Sequence, residues 1–219
     1  MGCDDARPAR GRPSMGVAAM ARTSFLTESE VEDLGLGSHG HTILISRFAS
    51  IHHPARINLG SHVRIDDFVV LTAGDSGRID IGSFVHIATF AALFGGGGIA
   101  IENYVGVSAR STVYSTNDDY SGEHLTNPTV PAEYTGACIA PVSLRKHALI
   151  GAHSVVLPGV CVGEGVAVGA LSLVDRSLEA WGIYAGIPAK YVKARSRALL
   201  SLEMKHRAAT GDSVDAAGH

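Results

Sequence analysis

The stretch that decides the fold is residues 144–174, LRKHAL IGAHSV VLPGVC VGEGVA VGALSL V, in which an aliphatic residue returns at every sixth position. A spacing of six residues scatters side chains around an α-helix of 3.6 residues per turn, so it gives no apolar stripe. In a chain of short strands, the same spacing puts one aliphatic side chain at the same place in every repeat. The stretch therefore predicts a coil of hexapeptides, whose repeating positions are Leu144, Ile150, Val156, Val162, Val168 and Val174.

The hexapeptide repeat continues towards the N-terminus. Its earlier positions are Ile45, Ile51, Leu59, Ile65, Leu71, Ile81, Ile87, Leu93, Ile101, Val107 and Val113. Within each group of up to three the step is six, whereas the steps between groups are 8, 10, 8, 31 and 6 residues, which puts every insertion at one corner of a three-sided coil. The residue four positions further on is mostly small or apolar, and in a strand it faces the same side, the inside of the coil. The sequence predicts an all-β solenoid of about six coils, roughly 29 Å tall.

The other segments complete the expected organisation. Thr27–Glu30 has the capping-box pattern, which predicts a short helix ending near Gly35 over the first coil. Pro188 predicts a second helix from residue 189 to about 206, because proline is favoured at the first helical position. A loop of the length of 114–143 is usually functional in a compact domain. The predicted segments are a disordered tail (1–22), a capping segment (23–42), the β-helix (43–178) with the loop insertion 114–143, a C-terminal extension with a helix (179–206) and a flexible tail (207–219).

Composition narrows the possible partners. Eighteen Lys and Arg against 21 Asp and Glu give a net charge of −3, which argues against a basic surface for nucleic acid. The apolar stretches are too short to span a membrane, so we expect no membrane partner. Three cysteines without a C-x-x-C pair predict neither a disulfide framework nor a cysteine zinc site. The cytoplasm is the expected compartment.

Several features together carry a resemblance to a known family. Glycine follows the repeating aliphatic residue in several coils, a long loop leaves one coil, and residues 185–190 are AGIPAK. In these features residues 43–195 resemble the hexapeptide-repeat acyltransferases, and the AGIPAK segment is similar to that of sugar acetyltransferases of the galactoside and maltose type.

The resemblance implies a fold, an activity and an assembly. The fold is a left-handed parallel β-helix, a hand that the general rule for parallel crossovers does not give. The activity is transfer of an acetyl group from acetyl-CoA to an amine or hydroxyl of a sugar, including nucleotide-linked amino sugars for bacterial surface polysaccharides. Family members need no metal for this chemistry. They are usually homotrimers in which coenzyme A lies in a groove between neighbouring prisms and a histidine is the general base.

Carried over residue by residue, the resemblance places coenzyme binding on Ala152, Ala170, Lys190 and Lys193. Stacked small residues allow the pantetheine arm to approach the backbone closely and to hydrogen-bond with it. The two lysine ammonium groups suit the phosphates of the coenzyme.

The position of the family's catalytic histidine is occupied here by Asp118, beside Asn117. A carboxylate is ordinarily a weak base for a sugar hydroxyl at neutral pH, so we expect a histidine to take that role. His86 is the first candidate, because other sugar N-acetyltransferases of the fold place a histidine in the same Ile-Gly-x-x-x-His setting near the thioester. His124, on the long loop, is the second. His86 and Asp118 fall on different corners and coils of one prism, so we expect them to meet only across a subunit boundary.

Two further expectations concern the surroundings of this site. The glycines Gly95–Gly98 predict an open backbone beside the coil of His86, with N–H groups that stabilise the oxyanion of the thioester. The other histidines of regular coils are expected to be solvated surface residues. They are His52, His53, His62, His147 and His153.

Two other classes use the same fold. A metal hydratase of the γ-type carbonic anhydrase kind needs three convergent histidines, and histidines stacked on one face would be about 18 residues apart, a pattern that this sequence lacks. A non-catalytic β-helix binding protein is the other alternative, but it does not call for a polar loop of 30 residues. The sequence leaves open which sugar is the acceptor, whether an amine or a hydroxyl is acylated, and whether the acyl group is acetyl or longer.

Overall fold

A computed structural model describes residues 24–210 of the chain. The predicted tail 1–22 and the last part of the predicted tail 207–219 lie outside these residues. Within the described range no helix is long and apolar enough to cross a membrane.

The described chain consists mainly of short strands, taken here coil by coil. After α1 (Glu28–Asp33), the first coil has β1 (Ser38–His39), β2 (Ile43–Ile45) and β3 (Ser50–His52), and the second has β4 (Ile57–Leu59), β5 (Val63–Ile65) and β6 (Val70–Thr72). The third has β7 (Ile79–Ile81), β8 (His86–Ile87) and β9 (Ala92–Phe94), and the fourth has β10 (Ile99–Ile101), β11 (Gly106–Val107) and β12 (Thr112–Tyr114). Next come β13 (Thr116–Asn117) and β14 (Cys138–Ile139), then the fifth coil with β15 (Val142–Leu144), β16 (Leu149–Ile150) and β17 (Val155–Val156). The sixth coil has β18 (Cys161–Val162), β19 (Ala167–Val168) and β20 (Leu173–Val174). It is followed by β21 (Gly182–Ala185), β22 (Lys190–Ala194) and α2 (Leu199–Thr210).

The strands stack into three parallel sheets that form the faces of a prism. The first face has the order β1-β4-β7-β10-β15-β18, the second β2-β5-β8-β11-β16-β19-β21-β22, and the third β3-β6-β9-β12-β17-β20. Only β22 runs antiparallel to its neighbour in these faces. The fold is the predicted left-handed β-helix, and it has about seven coils where the repeat predicted about six, because β21 begins one more turn.

The repeating aliphatic positions line the interior of the prism, as predicted. From Leu59 to Val174 each of them is at most 4% exposed. Burying one such side chain stabilises a protein by about 1.5–3 kcal/mol, so the stacked columns are the main source of stability. The predicted inner positions four residues later are buried as well from Val63 onward, including Val85 and Ser154, whereas Ala55 is exposed.

The N-terminal end of the prism is covered by α1. The capping box predicted at Thr27 is present, since its side chain accepts a hydrogen bond from the Glu30 N–H while the Glu30 carboxylate accepts one from the Thr27 N–H. Val31 of α1 is 2% exposed and belongs to the core, so this helix closes the first coil.

The helix predicted to begin at residue 189 is wrong in its start. Residues Lys190–Ala194 form β22, which pairs antiparallel with β21, and α2 begins only at Leu199 and continues to Thr210. The last coil leaves the edge of β21 unpaired, and hydrogen bonding to that edge outweighs the local preference that follows Pro188. The strand is held further by Tyr191, whose ring packs edge-on against Tyr184 at a centroid distance of 5.6 Å.

Helix α2 lies along the corner between the first and second faces. Its Glu203 accepts hydrogen bonds from Lys146 at 2.7 Å and from His147 at 2.8 Å. His147 is 7% exposed, so the expectation that it is a solvated surface residue is wrong. Burial by the helix explains the difference, because it removes from water a corner position that the repeat alone leaves on the outside.

Candidate functional site

The second face carries two outward columns of side chains. Paired residues of parallel strands point to the same side, so the strand register defines each column. The first column contains Arg64, His86, Gly106, Leu149 and Ala167. The second column lies two residues further along the chain, just past the end of each strand. The N–H group of each of its residues bonds to a carbonyl of the next coil, which aligns the column. It contains Asp66, Ala88, Ser108, Gly151 and Gly169.

Most of the second column is small. From the third coil to the sixth, Ala88, Ser108, Gly151 and Gly169 form a strip with the residues that follow three of them at the corner, Ala109, Ala152 and Ala170. We call this strip the small-residue track. The glycines are required by packing, because a Cβ on Gly151 would lie 2.6 Å from the backbone nitrogen of Ala170. The predicted coenzyme positions Ala152 and Ala170 therefore lie along the C-terminal half of one continuous, low surface.

A β-bulge sets the two predicted lysines at the end of this surface. Lys190 pairs with Ala185 and Lys193 with Ile183, while the register shifts between them. Ala185 and Ile183 are the outward residues of β21, and they alternate with the buried Tyr184. The extra residue in β22 thus places both lysines on the outer side of the second face, although they are three positions apart.

His86 belongs to a three-residue network on the same face. Asp66 accepts a hydrogen bond from Arg64 Nε at 2.6 Å, and its other oxygen lies 2.7 Å from His86 Nε2. The Asp66 side chain is only 17% exposed, whereas those of Arg64 and His86 are about half exposed. Burial acts to raise the pKa of Asp66, but the hydrogen bonds and positive charges of His86 and Arg64 outweigh it, and the pKa falls below its ordinary value.

The long loop leaves the prism at the predicted corner, between β12 and β15. Strands β13 and β14 pair antiparallel at its base, and Asn117 pairs with Cys138. Asp118 follows this pair and is exposed. The next residue, Asp119, organises the loop by accepting hydrogen bonds from Ser121 at 2.9 Å and from the His124 N–H at 3.1 Å. These bonds hold the pKa of Asp119 at about 2, and the same carboxylate lies 3.4 Å from His124 Nδ1.

The glycines Gly95–Gly98 do not lie beside His86. They form the corner between the third and first faces, below the loop, where a Cβ on Gly97 would lie 3.0 Å from Ile139. Their N–H groups serve the fold: Gly95 donates to Thr72, Gly97 to the Ser115 hydroxyl and Gly98 to Gly95. Within one chain these glycines are therefore not beside His86, because the coil carries the two segments to different sides of the prism, and the expectation that their N–H groups stabilise an oxyanion stays a prediction.

The structure thus separates the predicted site residues into two sets. His86, Ala152, Ala170 and the two lysines share the second face, whereas Asn117, Asp118 and His124 lie on the loop at another corner. The sequence reasoning missed Ser108, the one hydroxyl on the small-residue track, one coil from His86. Its signal was available, because Ser108 directly follows the repeating residue Val107, where the next two coils have glycine.

Among the residues that the structure describes, no group of three or more His, Cys, Asp or Glu side chains comes together as a metal site. No family model matches the chain. Similar proteins do exist, and one of them is the dTDP-4-amino-4,6-dideoxy-D-glucose acyltransferase of Escherichia coli. It is 42% identical over 192 residues, which cover 87% of this chain and 100% of that protein.

Several solved structures are also similar to this chain. The N-acyltransferase AntD from Bacillus cereus, in complex with dTDP and 3-hydroxybutyryl-CoA, is 43% identical with a TM-score of 0.83, covering 87% of this chain and 100% of AntD. A single-residue variant of AntD in complex with dTDP-4-amino-4,6-dideoxyglucose and coenzyme A is 42% identical with a TM-score of 0.82, covering 86% of this chain and 99% of that one. A hexapeptide transferase family protein from Anaplasma phagocytophilum, 19% identical with a TM-score of 0.51 and covering 78% and 92% of the two chains, shares the fold.

The hexapeptide prism and these relatives define an acyltransferase enzyme of the hexapeptide-repeat class. Within that class, the chain belongs to the family of the E. coli acyltransferase and AntD. The predicted class is confirmed, and the hydratase and the non-catalytic binding protein are set aside.

Proposed function

We propose that this protein transfers an acyl group from a coenzyme A thioester to the amino group of a dTDP-linked 4-amino-4,6-dideoxyhexose. The observation that carries the proposal is the small-residue track, which runs without interruption from the lysines of β22 to Ser108 beside His86. The E. coli relative and the AntD complexes support the choice of substrates.

Coenzyme A occupies the C-terminal half of the second face in this proposal. From β22 to β11 there are four strand spacings, about 19 Å, along which an extended pantetheine arm reaches from the lysines to Ser108. Gly151, Ala152, Gly169 and Ala170 allow the arm to lie against the backbone, and Lys190 and Lys193 meet the phosphates. The thioester then lies at Ser108.

The relatives point to the residues of the reaction centre. AntD has been studied as variants of one serine and of one aspartate, and the two lie ten residues apart in that chain. Ser108 and Asp118 are the single serine–aspartate pair with this spacing and order in the present sequence. We therefore assign them as the corresponding pair, with Asn117 orienting Asp118.

An amine acceptor makes an aspartate suitable for the proton transfer. When the neutral amine attacks the thioester carbonyl, the tetrahedral adduct carries a positive nitrogen and a negative oxygen. The N–H of that nitrogen is acidic enough for the carboxylate of Asp118 to accept its proton, which the hydroxyl of a sugar is not. The Ser108 hydroxyl donates a hydrogen bond to the negative oxygen. Collapse of the adduct forms the amide and releases the thiolate of coenzyme A, which takes up the proton.

The two halves of this centre come from different subunits. Ser108 lies on the second face and Asp118 on the loop at the opposite corner of the same prism, so one chain does not close the site. We propose a homotrimer in which the loop of one subunit covers the second face of its neighbour. His124 lies against Asp119 within this loop, and we assign it to keeping the loop in shape. The proposed location is the cytoplasm, the compartment that the sequence predicts.

Thiol release from acetyl-CoA and 3-hydroxybutyryl-CoA, followed with a thiol reagent, tests the proposal. The acceptor is dTDP-4-amino-4,6-dideoxyglucose, and the matched control acceptor carries a hydroxyl in place of the amino group. We expect thiol release with the amino sugar and none with the hydroxyl control. The release with the amino sugar should be lost in Asp118→Asn. Absence of release with the amino sugar, or equal release with both acceptors, would overturn the proposal. Mixing Ser108→Ala and Asp118→Asn chains and reassembling them should restore part of the activity if the site is shared.

A further inference from the structure

The N-terminal half of the second face is built differently from the small-residue track. There the outward columns carry Arg64, His86 and Asp66, and the last of these is mostly buried between the other two. One carboxylate thus fixes two side chains that both donate hydrogen bonds and that both remain about half exposed. Donors that are oriented before a ligand arrives suit the recognition of an anion.

The hydrogen bonds to Asp66 leave the useful ends of both side chains directed elsewhere. Arg64 is bonded to Asp66 through Nε, so its two terminal amino groups keep the fork geometry that suits a phosphate. His86 is bonded through Nε2, and its other ring nitrogen, Nδ1, is not used in that bond. The guanidinium of Arg64 also lies 5.3 Å over the ring of Phe25, which further restricts its orientation.

The position of the network relative to the reaction centre matches the shape of the acceptor. His86 lies one coil and Arg64 two coils from the coil of Ser108, on the side away from the lysines, which corresponds to about 5 Å and 10 Å. In a nucleotide-linked 4-amino sugar the amino group and the diphosphate are attached at opposite ends of the sugar ring. With the amine at Ser108, the diphosphate is therefore a ring's length away along the face.

We propose that Arg64 and His86, held in place by Asp66, bind the diphosphate of the nucleotide-sugar acceptor at the N-terminal half of the second face. This inference rests on the proposed function. It gives the face two phosphate-binding ends, the lysines of β22 for the coenzyme and Arg64 with His86 for the nucleotide, with the reaction centre between them. It also assigns His86 to substrate binding, while the proton transfer belongs to Asp118.

The chain contains a matched control for this site. Arg78 and Asp80 on the first face make the same bond, from Nε to the carboxylate at 2.7 Å, and both side chains are exposed. Arg78→Ala therefore removes the same kind of surface ion pair without touching the second face.

Calorimetric titration of the full-length protein with dTDP and, separately, with coenzyme A tests the inference. Coenzyme A is the necessary second probe because it also contains a diphosphate. We expect Arg64→Ala and His86→Ala each to weaken dTDP binding roughly 10- to 100-fold, the range for loss of a hydrogen bond to a charged group, and to leave coenzyme A binding unchanged. Arg78→Ala should bind both like the wild type. The KM for the amino sugar should rise in the two variants, with kcat at saturation nearly unchanged.

The other outcomes are distinct. If His86→Ala binds dTDP like the wild type while its kcat falls and the pH profile of kcat shifts, His86 is the general base. This outcome would overturn the inference. Weaker coenzyme A binding in Arg64→Ala would reverse the assignment of the two ends and would overturn it as well. If the wild type releases no thiol with the amino sugar, the proposed function fails first. If Arg64→Ala loses dTDP binding and also has a lowered melting temperature, Arg64→Lys distinguishes a folding defect from a lost contact with the ligand. This variant keeps the charge and should recover part of the affinity.

Discussion

The tripeptide Arg-Ile-Asp occurs twice in the prism, at residues 64–66 on the second face and 78–80 on the first. In both copies the isoleucine is fully buried and the arginine Nε bonds to the aspartate, at 2.6 and 2.7 Å. The difference lies in the aspartates, since Asp66 is 17% exposed and also bonds to His86, whereas Asp80 is 45% exposed and bonds to Asn58.

The cause of this difference is the phase of the tripeptide within the repeat. Ile65 is the repeating aliphatic residue at the end of its strand, so Asp66 lies just past the strand, next to the corner. Ile79 begins its strand, two residues before the repeating Ile81, so Asp80 lies in the middle of a face. The same local sequence and the same local ion pair therefore acquire different neighbours. The coil, and not the tripeptide, decides which copy belongs to the proposed binding surface.

The largest expected effect tests whether the isoleucines of the two copies contribute equally to the free energy of unfolding. Ile65→Ala and Ile79→Ala each create a cavity in the core and should each lower the free energy of unfolding by about 2–5 kcal/mol. Denaturant unfolding followed by circular dichroism measures both values. A difference between the variants of more than about 2 kcal/mol would show that one face is packed more tightly than the other, and the comparison would then have to be made at the level of the core.

A catalytic variant sharpens the contrast between the two faces. Ser108→Ala on the second face removes the proposed donor to the oxyanion and should lower kcat about 10²- to 10³-fold. Ser143→Ala is the control, because Ser143 is an outward, half-buried serine in the middle of β15 on the first face. It should keep full activity. Equal losses in both variants would mean that the serines act through the fold, and full activity in Ser108→Ala would remove the residue from the reaction centre.

The sequence predicted the prism and its faces because the information is local. Each repeating residue, such as Ile150, recurs after six positions and needs no distant partner to be recognised. The insertion corner and the helix cap at Thr27 are local patterns of the same kind. Strand β22 is different, since Lys190–Ala194 becomes a strand only because the last coil leaves an edge to which it pairs.

The candidate site was predictable only in part for the same reason. Ala152, Ala170 and the lysines share one face, as the repeat allows, and their role in coenzyme binding stays a prediction. The network around Asp66 was not predictable, because its partner His86 lies 20 residues away, a separation set by the length of an irregular corner. The glycines Gly95–Gly98 illustrate the converse: they are close to His86 in sequence, but the corner carries them to another side of the prism.

A pH-dependent comparison tests the charge on Asp66. The pKa of Asp66 is lowered in the folded protein, so its ionised form adds stability above the unfolded value near 4, and this contribution is lost as the pH falls through the folded pKa. Asp66→Asn should therefore lower the free energy of unfolding by about 1 kcal/mol at pH 7, and the gap between the variant and the wild type should narrow as the pH falls through the lowered pKa of Asp66. Unfolding in urea at a series of pH values measures the gap. A gap that is constant with pH would show that the charge is not what stabilises the network.

The smallest expected effect concerns the arginines themselves. Arg64 and Arg78 are both more than half exposed, and exposed ion pairs contribute about 0–1 kcal/mol, so Arg64→Ala and Arg78→Ala should each change the free energy of unfolding by less than about 1 kcal/mol and by similar amounts. Thermal unfolding of the two variants beside the wild type makes the measurement, and raising the salt concentration should reduce both effects. If Arg64→Ala is clearly the less stable variant, the stacking of Arg64 on Phe25 is structural. If the two are equal, the guanidinium on the second face is held in place at little benefit to stability, as expected for a group retained to meet a ligand.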